Sequence, residues 1–348
     1  MRIDQLTFLR FIAAIAIVVY HYGATIAPFH FTAISFLFKQ ANLGVSFFYV
    51  LSGFVMMLAY AHKAPINAKL FLWNRLARIY PIYVLALLAV CIFFFFVHAP
   101  INSKDFILSL FCLQAWVPSA ALSINKPGWS ISVEALFYIL FPFILNRCYA
   151  LKTQIPYTVM GIIAIFLLSQ LGFHYFFHAY PIHTHQELHH FVYYFPLWHV
   201  NEFLIGTLCG WYFLQQKKQA ARNYDLSILF LFALLVMLLK YPLGMNYHNG
   251  LMAVLFAPLL FIMSANTGIV TSILTKRPLI FLGEISYGIY VLQYPIFIMG
   301  NKLGKWIGFN AAPQFFYFNL LLLIGVASLS YLYFEKPMRK YLLKFIKA

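Results

Sequence analysis

The sequence predicts an all-α integral membrane protein, a polytopic bundle of about ten transmembrane helices with both termini cytoplasmic. Three observations predict it. Of 348 residues, 63% are hydrophobic and only 9% charged, too few charges to coat a soluble globule. The apolar residues come in runs of bilayer-crossing length. The 24 Lys and Arg gather in alternate loops, as the positive-inside rule requires of a polytopic chain.

The runs fall at about residues 7–28, 43–61, 79–98, 129–146, 156–176, 191–214, 226–240, 250–265, 279–299 and 315–334. No small-residue cleavage site follows the first, so it reads as a retained helix rather than a signal peptide. Between the third and fourth, Phe106 to Trp116 is apolar but too short to cross, and is expected to pack as a re-entrant or interfacial piece. With the N-terminus inside, the outer loops hold only Lys39, Lys104, Lys126, Lys240, Lys302 and Lys305, and Arg10 sits just within the inner boundary. The other 17 cations lie in inner loops. The net charge of +16 therefore reads as membrane orientation, not nucleic-acid binding. Residues 1–335 form one transmembrane domain, and 336–348 a short basic cytoplasmic tail that touches anionic lipid. The expected location is the inner membrane, with no internal repeat and no appended soluble domain.

Cys91, Cys112, Cys148 and Cys209 are scattered without CxxC or metal spacing, which suits buried structural thiols. The outer loop "HAYPIHTHQELHH", residues 178–190, holds five histidines. It lacks a regular ligand spacing, so no metal site is expected there.

Ionisable groups inside the hydrocarbon are costly, about 2.5 kcal/mol or more each, and so mark function. In "LRFIAAIAIVVYHYG", Arg10 and His21 are eleven residues apart, about three α-helical turns. That places them on one stripe about 16 Å apart along the axis. Glu134 in "GWSISVEALFY" has an estimated depth like that of His21, where a carboxylate supports an imidazole as general base. Its alternative is an unrelated interhelical acid. "FLWNRLARIYP" sets Arg75 and Arg78 on one helical face just before the third span and Pro81. With Arg10 this makes three guanidiniums at one level, suited to phosphate; plain anchoring is the alternative. "WHVNE" offers a second polar pair, His199 and Glu202, and Glu335 at the end of the tenth span is expected to pair with an arginine.

A ligand with phosphates at the inner mouth and a reactive end about 16 Å further out would bridge Arg10 and His21. Acyl-coenzyme A has that shape. His21 then either deprotonates an incoming hydroxyl or carries the acyl group itself.

The chain also resembles the membrane-bound acyltransferase family 3, bacterial enzymes that O-acylate surface polysaccharides, peptidoglycan and other glycosides. Six ordered motifs carry the likeness along nearly the whole chain: "RIDQLTFLRFIAAIAIVVYHYG", "GVSFFYVLSGFVM", "FLWNRLARIYPIY", "GWSISVEALFYILFP", "FLGEISYGIYVLQYPI" and "YFEKPMRKYL". The resemblance implies that Arg10 and His21 are the family's essential arginine and histidine, Arg75 and Arg78 its donor-site pair, and Glu134 its fourth-helix acid. Ser52 and Gly53 match its "LSGF" element and Glu335 its terminal acid. Ala135 and Gln293 depart from the family's polar residues, so no role passes to Gln293.

The resulting expectation is an O-acyltransferase, with acetyl-CoA as donor, acting on a hydroxyl of an outer-face glycan or lipid-linked glycan. His21 and Glu134 are catalytic, and Arg10, Arg75, Arg78 and Ser52 bind the donor. The opening motif looks most like members that decorate exopolysaccharide or lipopolysaccharide. Some relatives append an extracytoplasmic domain; this chain ends after its membrane core, which implies direct transfer or hand-over to a separate protein. Trp116, Trp129 and Trp198 stack on sugars or belong to the interfacial aromatic belt. The different-class alternative is a secondary transporter or glycan flippase with an Arg/His/Glu relay.

Overall fold

Long apolar runs satisfy their backbone only by closing i→i−4 bonds within the segment. The computed structural model obeys this: among the described residues, 3–180 and 185–347, every long element is a helix. The side chains of residues 152, 217–220, 346 and 347 are excepted from this description. The expected inner-loop cation Arg2, the side chains of Lys152, Lys217, Lys218 and Lys347, and His183 of the histidine-rich loop fall outside it.

Seven helices among the described residues are long and apolar enough to cross a membrane: α1 (Gln5–Gly23), α2 (Leu43–Lys63), α3 (Ala68–Phe96), α4 (Lys126–Cys148), α5 (Ile155–Ala179), α9 (Arg277–Trp306) and α10 (Ala312–Leu342). The remaining three apolar runs also form helices, α6 (Val200–Ala220), α7 (Asp225–Lys240) and α8 (Ala253–Ala265). The last two have 16 and 13 residues, about 24 and 20 Å against a hydrocarbon core of about 30 Å.

Two seams organise the bundle. α2 lies along α6, where a Cβ on Gly53 would collide with the carbonyl of Phe203 and one on Gly206 with the carbonyl of Val50. Small residues let the two backbones touch, the usual device of helix association in lipid. Gly53 therefore serves packing, while its neighbour Ser52 turns inward to a cavity. α1 lies along α9 in parallel, with Gly283 against the backbone of Thr7 at one end and Tyr22 stacked on Phe297 at 3.9 Å at the other.

Several helices start or end beyond their apolar runs. α3 begins at Ala68, capped by the Asn67 side chain accepting from Leu70 N at 3.0 Å. Arg75 and Arg78 are thus inside the helix, not ahead of it. α10 continues across residue 335 through a π turn, Tyr331–Glu335, to Leu342, where Trp73 Nε1 of α3 donates to the Leu342 carbonyl at 3.0 Å. The basic tail is to that extent part of the bundle.

The short apolar piece packs inward. It forms a helix, Ser103–Leu110, and a tight turn, Gln114–Trp116. Tyr83 donates to the Ser109 carbonyl at 2.6 Å, and Gln114 joins Gly128 and Ser132 of α4 at 2.6 and 2.9 Å. These bonds fix the start of α4 against α3.

Candidate active site

The cations of α1 and α3 converge. Arg10, Arg75 and Arg78 line one chamber of about 460 Å³, together with Ser52 of α2. Arg75 is held against the Phe71 and Tyr60 rings, 5.4 and 5.2 Å from their centroids, and donates to Tyr60 OH at 3.0 Å. Its buried Nε has no partner. Arg78, exposed to the chamber, lies within electrostatic reach of Arg10, Arg75 and Arg339. The predicted guanidinium cluster is present.

Glu134 belongs to the same chamber. Its Oε2 accepts from Tyr138 OH at 2.8 Å, one turn further along α4, and its charge is the one acting most strongly on Arg10. The expected Glu134–His21 pairing is not formed. The reason lies in where the helices end: α1 stops at Gly23 and α4 starts at Lys126. His21 is therefore about 3 Å, and Glu134 about 12 Å, from its helix terminus on that side.

His21 also lies apart from the cavities that Arg10 lines. The last five residues of α1, Val19–Gly23, form a π turn, whose wider i→i+5 spacing shifts His21 only part of a step around the helix. His21 is exposed, between Tyr20 and Tyr22, and Lys126 is the charge that acts on it. It lines neither the arginine chamber nor the smaller void that continues from it.

That void, about 30 Å³, shares Arg10, Phe48, Glu134 and Tyr287 with the chamber and is closed by Tyr49, Ser130 and Tyr290. It has room for about two water molecules. It also has a direction. Tyr287 OH reaches the Ile79 carbonyl at 3.3 Å beside the chamber, Tyr290 OH reaches the Pro127 carbonyl at 3.3 Å, and Tyr294 carries Lys126 over its ring at 5.6 Å. Successive turns of α9 thus lead from the arginines to the level of His21.

Chamber residues beyond those singled out from sequence are Tyr138, Glu284, Tyr287, Tyr331, Lys336 and Arg339. Arg339 stands four residues after Glu335, which also lines the chamber, so i,i+4 spacing in "YFEKPMR" was the available signal.

His199 and Glu202 form a separate, fully buried pair. His199 Nδ1 meets Glu202 Oε2 at 2.8 Å, and the Nε2 atoms of His199 and His248 both face the Tyr193 carbonyl, at 3.1 and 3.0 Å. A carbonyl only accepts, so both Nε2 atoms carry hydrogen. One proton is then shared between His199 Nδ1 and Glu202, which keeps the pair neutral overall. Burial, with His199 nearby, pushes the His248 imidazole down to about 3, consistent with its neutral form.

Trp129 is buried against Tyr194 and His199, at 4.8 and 5.4 Å, and is a core residue, not a sugar platform. Trp116 packs on Phe195, and Trp198 on Phe176 and Phe191. In the histidine-rich loop, His190 Nδ1 bonds the Pro118 carbonyl at 2.7 Å and His189 stacks on Tyr193 at 4.4 Å. The four cysteines are unpaired, Cys112 buried and the others half-buried.

Residues 3–335 match the family model described as acyltransferase domain. The chain belongs to this acyltransferase family. The O-acetyltransferase OatA of Staphylococcus aureus is 26% identical over 361 residues, covering 95% of this chain and 56% of the relative. The putative peptidoglycan O-acetyltransferase YrhL of Bacillus subtilis is 25% identical over 375 residues, covering 97% and 55%. Acyltransferase MdmB of Streptomyces mycarofaciens is 30% identical over 169 residues, covering 44% and 41%. The chain thus spans about half the length of the curated relatives it matches. No solved structure matches it. Family membership and the apolar helices together make this acyltransferase a multi-pass membrane protein.

Proposed function

We propose that this acyltransferase takes an acetyl group from acetyl-CoA at the inner face of the cytoplasmic membrane and delivers it to a hydroxyl of a cell-envelope glycan at the outer face. The observation that carries the proposal is the arginine chamber, four guanidiniums and a lysine around one 460 Å³ space inside an apolar bundle, with three carboxylates that leave two positive charges unbalanced. Such a cluster costs several kcal/mol to bury without an anionic ligand to offset it. O-acetyl transfer stands in the names of both OatA and YrhL, and a peptidoglycan acceptor in that of YrhL. The orientation follows from the cation count of alternate loops, and a ten-span bundle requires α6, α7 and α8 to cross as well.

In this reading Arg10, Arg75 and Arg78 grip the phosphates, and Ser52 contributes a polar contact at the chamber wall. Glu134, bonded to Tyr138, holds Arg10 at the neck as its counter-charge. The pantetheine arm runs along α9 past Tyr287 and Tyr290. The connecting void is water-sized, so Tyr49, Phe48 and Tyr290 swing aside for the arm to pass, and the chemistry waits on donor entry. At the far end His21 takes the proton of the acceptor hydroxyl as its oxygen bonds to the thioester carbonyl carbon. The carbon–sulfur bond breaks, and the imidazolium returns the proton to the departing thiolate, giving ester and free CoA thiol. A variant in which His21 carries the acyl group uses the same atoms in two steps.

The test compares surface glycans of strains with and without the gene by mass, for loss of a 42-Da acetyl increment (about 42 Da per ester). It also follows CoA thiol release by the protein in lipid nanodiscs. A transporter leaves thiol unreleased, and an unchanged glycan mass removes the acyltransfer to surface glycan.

A further inference from the structure

We propose that the end of α10 is the nucleotide-reading part of the donor site, with Arg339, flanked by Lys336, binding the 3′-phosphate of coenzyme A. This rests on the acyl-CoA reading above.

The chamber cations differ in depth and in how firmly the fold holds them. Arg10 is innermost, because it also lines the narrow void. Arg78 is next, and Arg75 lies one turn back along α3, about 4.5 Å nearer its start. Arg339 and Lys336 are exposed and line the same chamber. They come from the last turns of α10, whose end is tied to the start of α3 by the Trp73–Leu342 hydrogen bond of 3.0 Å. Because α10 runs antiparallel to α3, that contact sets Arg339, about one turn before Leu342, level with Arg75 across the chamber.

Coenzyme A carries its anionic groups in a fixed order. Pantetheine leads, the pyrophosphate follows, and the 3′-phosphate hangs from the far side of the ribose. With pantetheine directed into the void, the pyrophosphate meets Arg10 and Arg78, and the 3′-phosphate reaches the level of Arg75 and Arg339, where Arg75 is already held by Tyr60 and Arg339 is exposed. Three carboxylates, Glu134, Glu284 and Glu335, line the chamber against five cations, so two positive charges are left over for the ligand. A guanidinium fork matches a terminal phosphate better than an ammonium does. The tail thereby acquires a role besides membrane orientation, and it discriminates among nucleotide thioesters.

The test uses the full chain in neutral phosphatidylcholine nanodiscs, with CoA and 3′-dephospho-CoA competing against labelled acetyl-CoA. For the wild type, dephospho-CoA is expected to bind about 10- to 100-fold more weakly than CoA, the factor of one charge-assisted contact. In Arg339→Gln the CoA affinity falls by that factor while dephospho-CoA is unmoved, so the ratio approaches one. Trp73→Phe, which removes no charge, loses part of the same ratio through the undocked helix end. Arg75→Ala weakens both ligands and keeps the ratio. A ratio unchanged in Arg339→Gln, with CoA still bound, overturns this proposal alone. An effect of Arg339→Gln that emerges only when anionic lipid is added assigns the residue to headgroups and overturns it too. Failure of wild-type protein to bind either nucleotide overturns the donor reading itself.

Discussion

Replacing Arg78 with alanine separates a ligand grip from a structural one, because the two give effects of opposite sign. Arg78 is exposed to the chamber and lies within electrostatic reach of Arg10, Arg75 and Arg339. The chamber is lined by five cations and three carboxylates, so the substitution halves its excess positive charge from two to one. A guanidinium–phosphate contact contributes about 1.5–3 kcal/mol, and its loss raises the Kd for acetyl-CoA about 10- to 150-fold. The empty protein gains, since like-charge repulsion from Arg10, Arg75 and Arg339 is relieved. Labelled acetyl-CoA binding in nanodiscs reads the first effect, and thermal unfolding of the same preparation reads the second. Arg78→Lys, which keeps the charge but not the fork, falls between wild type and alanine. A Kd within about twofold of wild type, or a loss of binding accompanied by an equal loss of folding, refutes the phosphate-grip argument.

His21→Ala is expected to abolish glycan acylation while the protein still reaches the membrane and binds acetyl-CoA; retained acylation by mass spectrometry excludes His21 from the chemistry. Glu134→Gln keeps the Tyr138 contact but removes the counter-charge of Arg10. Turnover should fall about 10-fold or more with donor Kd within a few-fold of wild type, and full activity would direct attention to His199 and Glu202 instead. Glu202→Leu leaves the buried His199 Nδ1 without its partner and should cost about 1–3 kcal/mol. Glu202→Gln, whose amide donates to that nitrogen, should cost only about 1 kcal/mol. Equal destabilisation of the two in thermal unfolding would mean that the pair exists as imidazolium and carboxylate.

The site was legible in proportion to how local its geometry is. Arg75 and Arg78 share a face because three residues is nearly one turn, whatever surrounds the helix, and both do line the chamber. Arg10 needed only its height in the first span. Glu134 needed the true ends of two helices, and its depth relative to His21 was displaced because α1 ends at Gly23 and α4 begins at Lys126. Gly53 sat within a motif that suggested the site, yet its role is the backbone contact with Phe203. Arg339 was counted as tail because the apolar run stops before it, while the helix carrying it does not.

Composition and the spacing of apolar residues by themselves determined a membrane-embedded, helical chain with an acyltransferase's ordered motifs. Those properties depend on each segment's own partitioning between water and lipid. Tertiary structure alone decided which groups face one another: Glu134 toward Arg10, His199 toward Glu202, the end of α10 onto α3 at Trp73, and His21 outside both cavities. The physical reason is that sequence spacing measures height along a helix, whereas facing depends on azimuth. Azimuth depends on which helices lie alongside, and that is set by glycine contacts such as Gly53 on Phe203 and Gly206 on Val50.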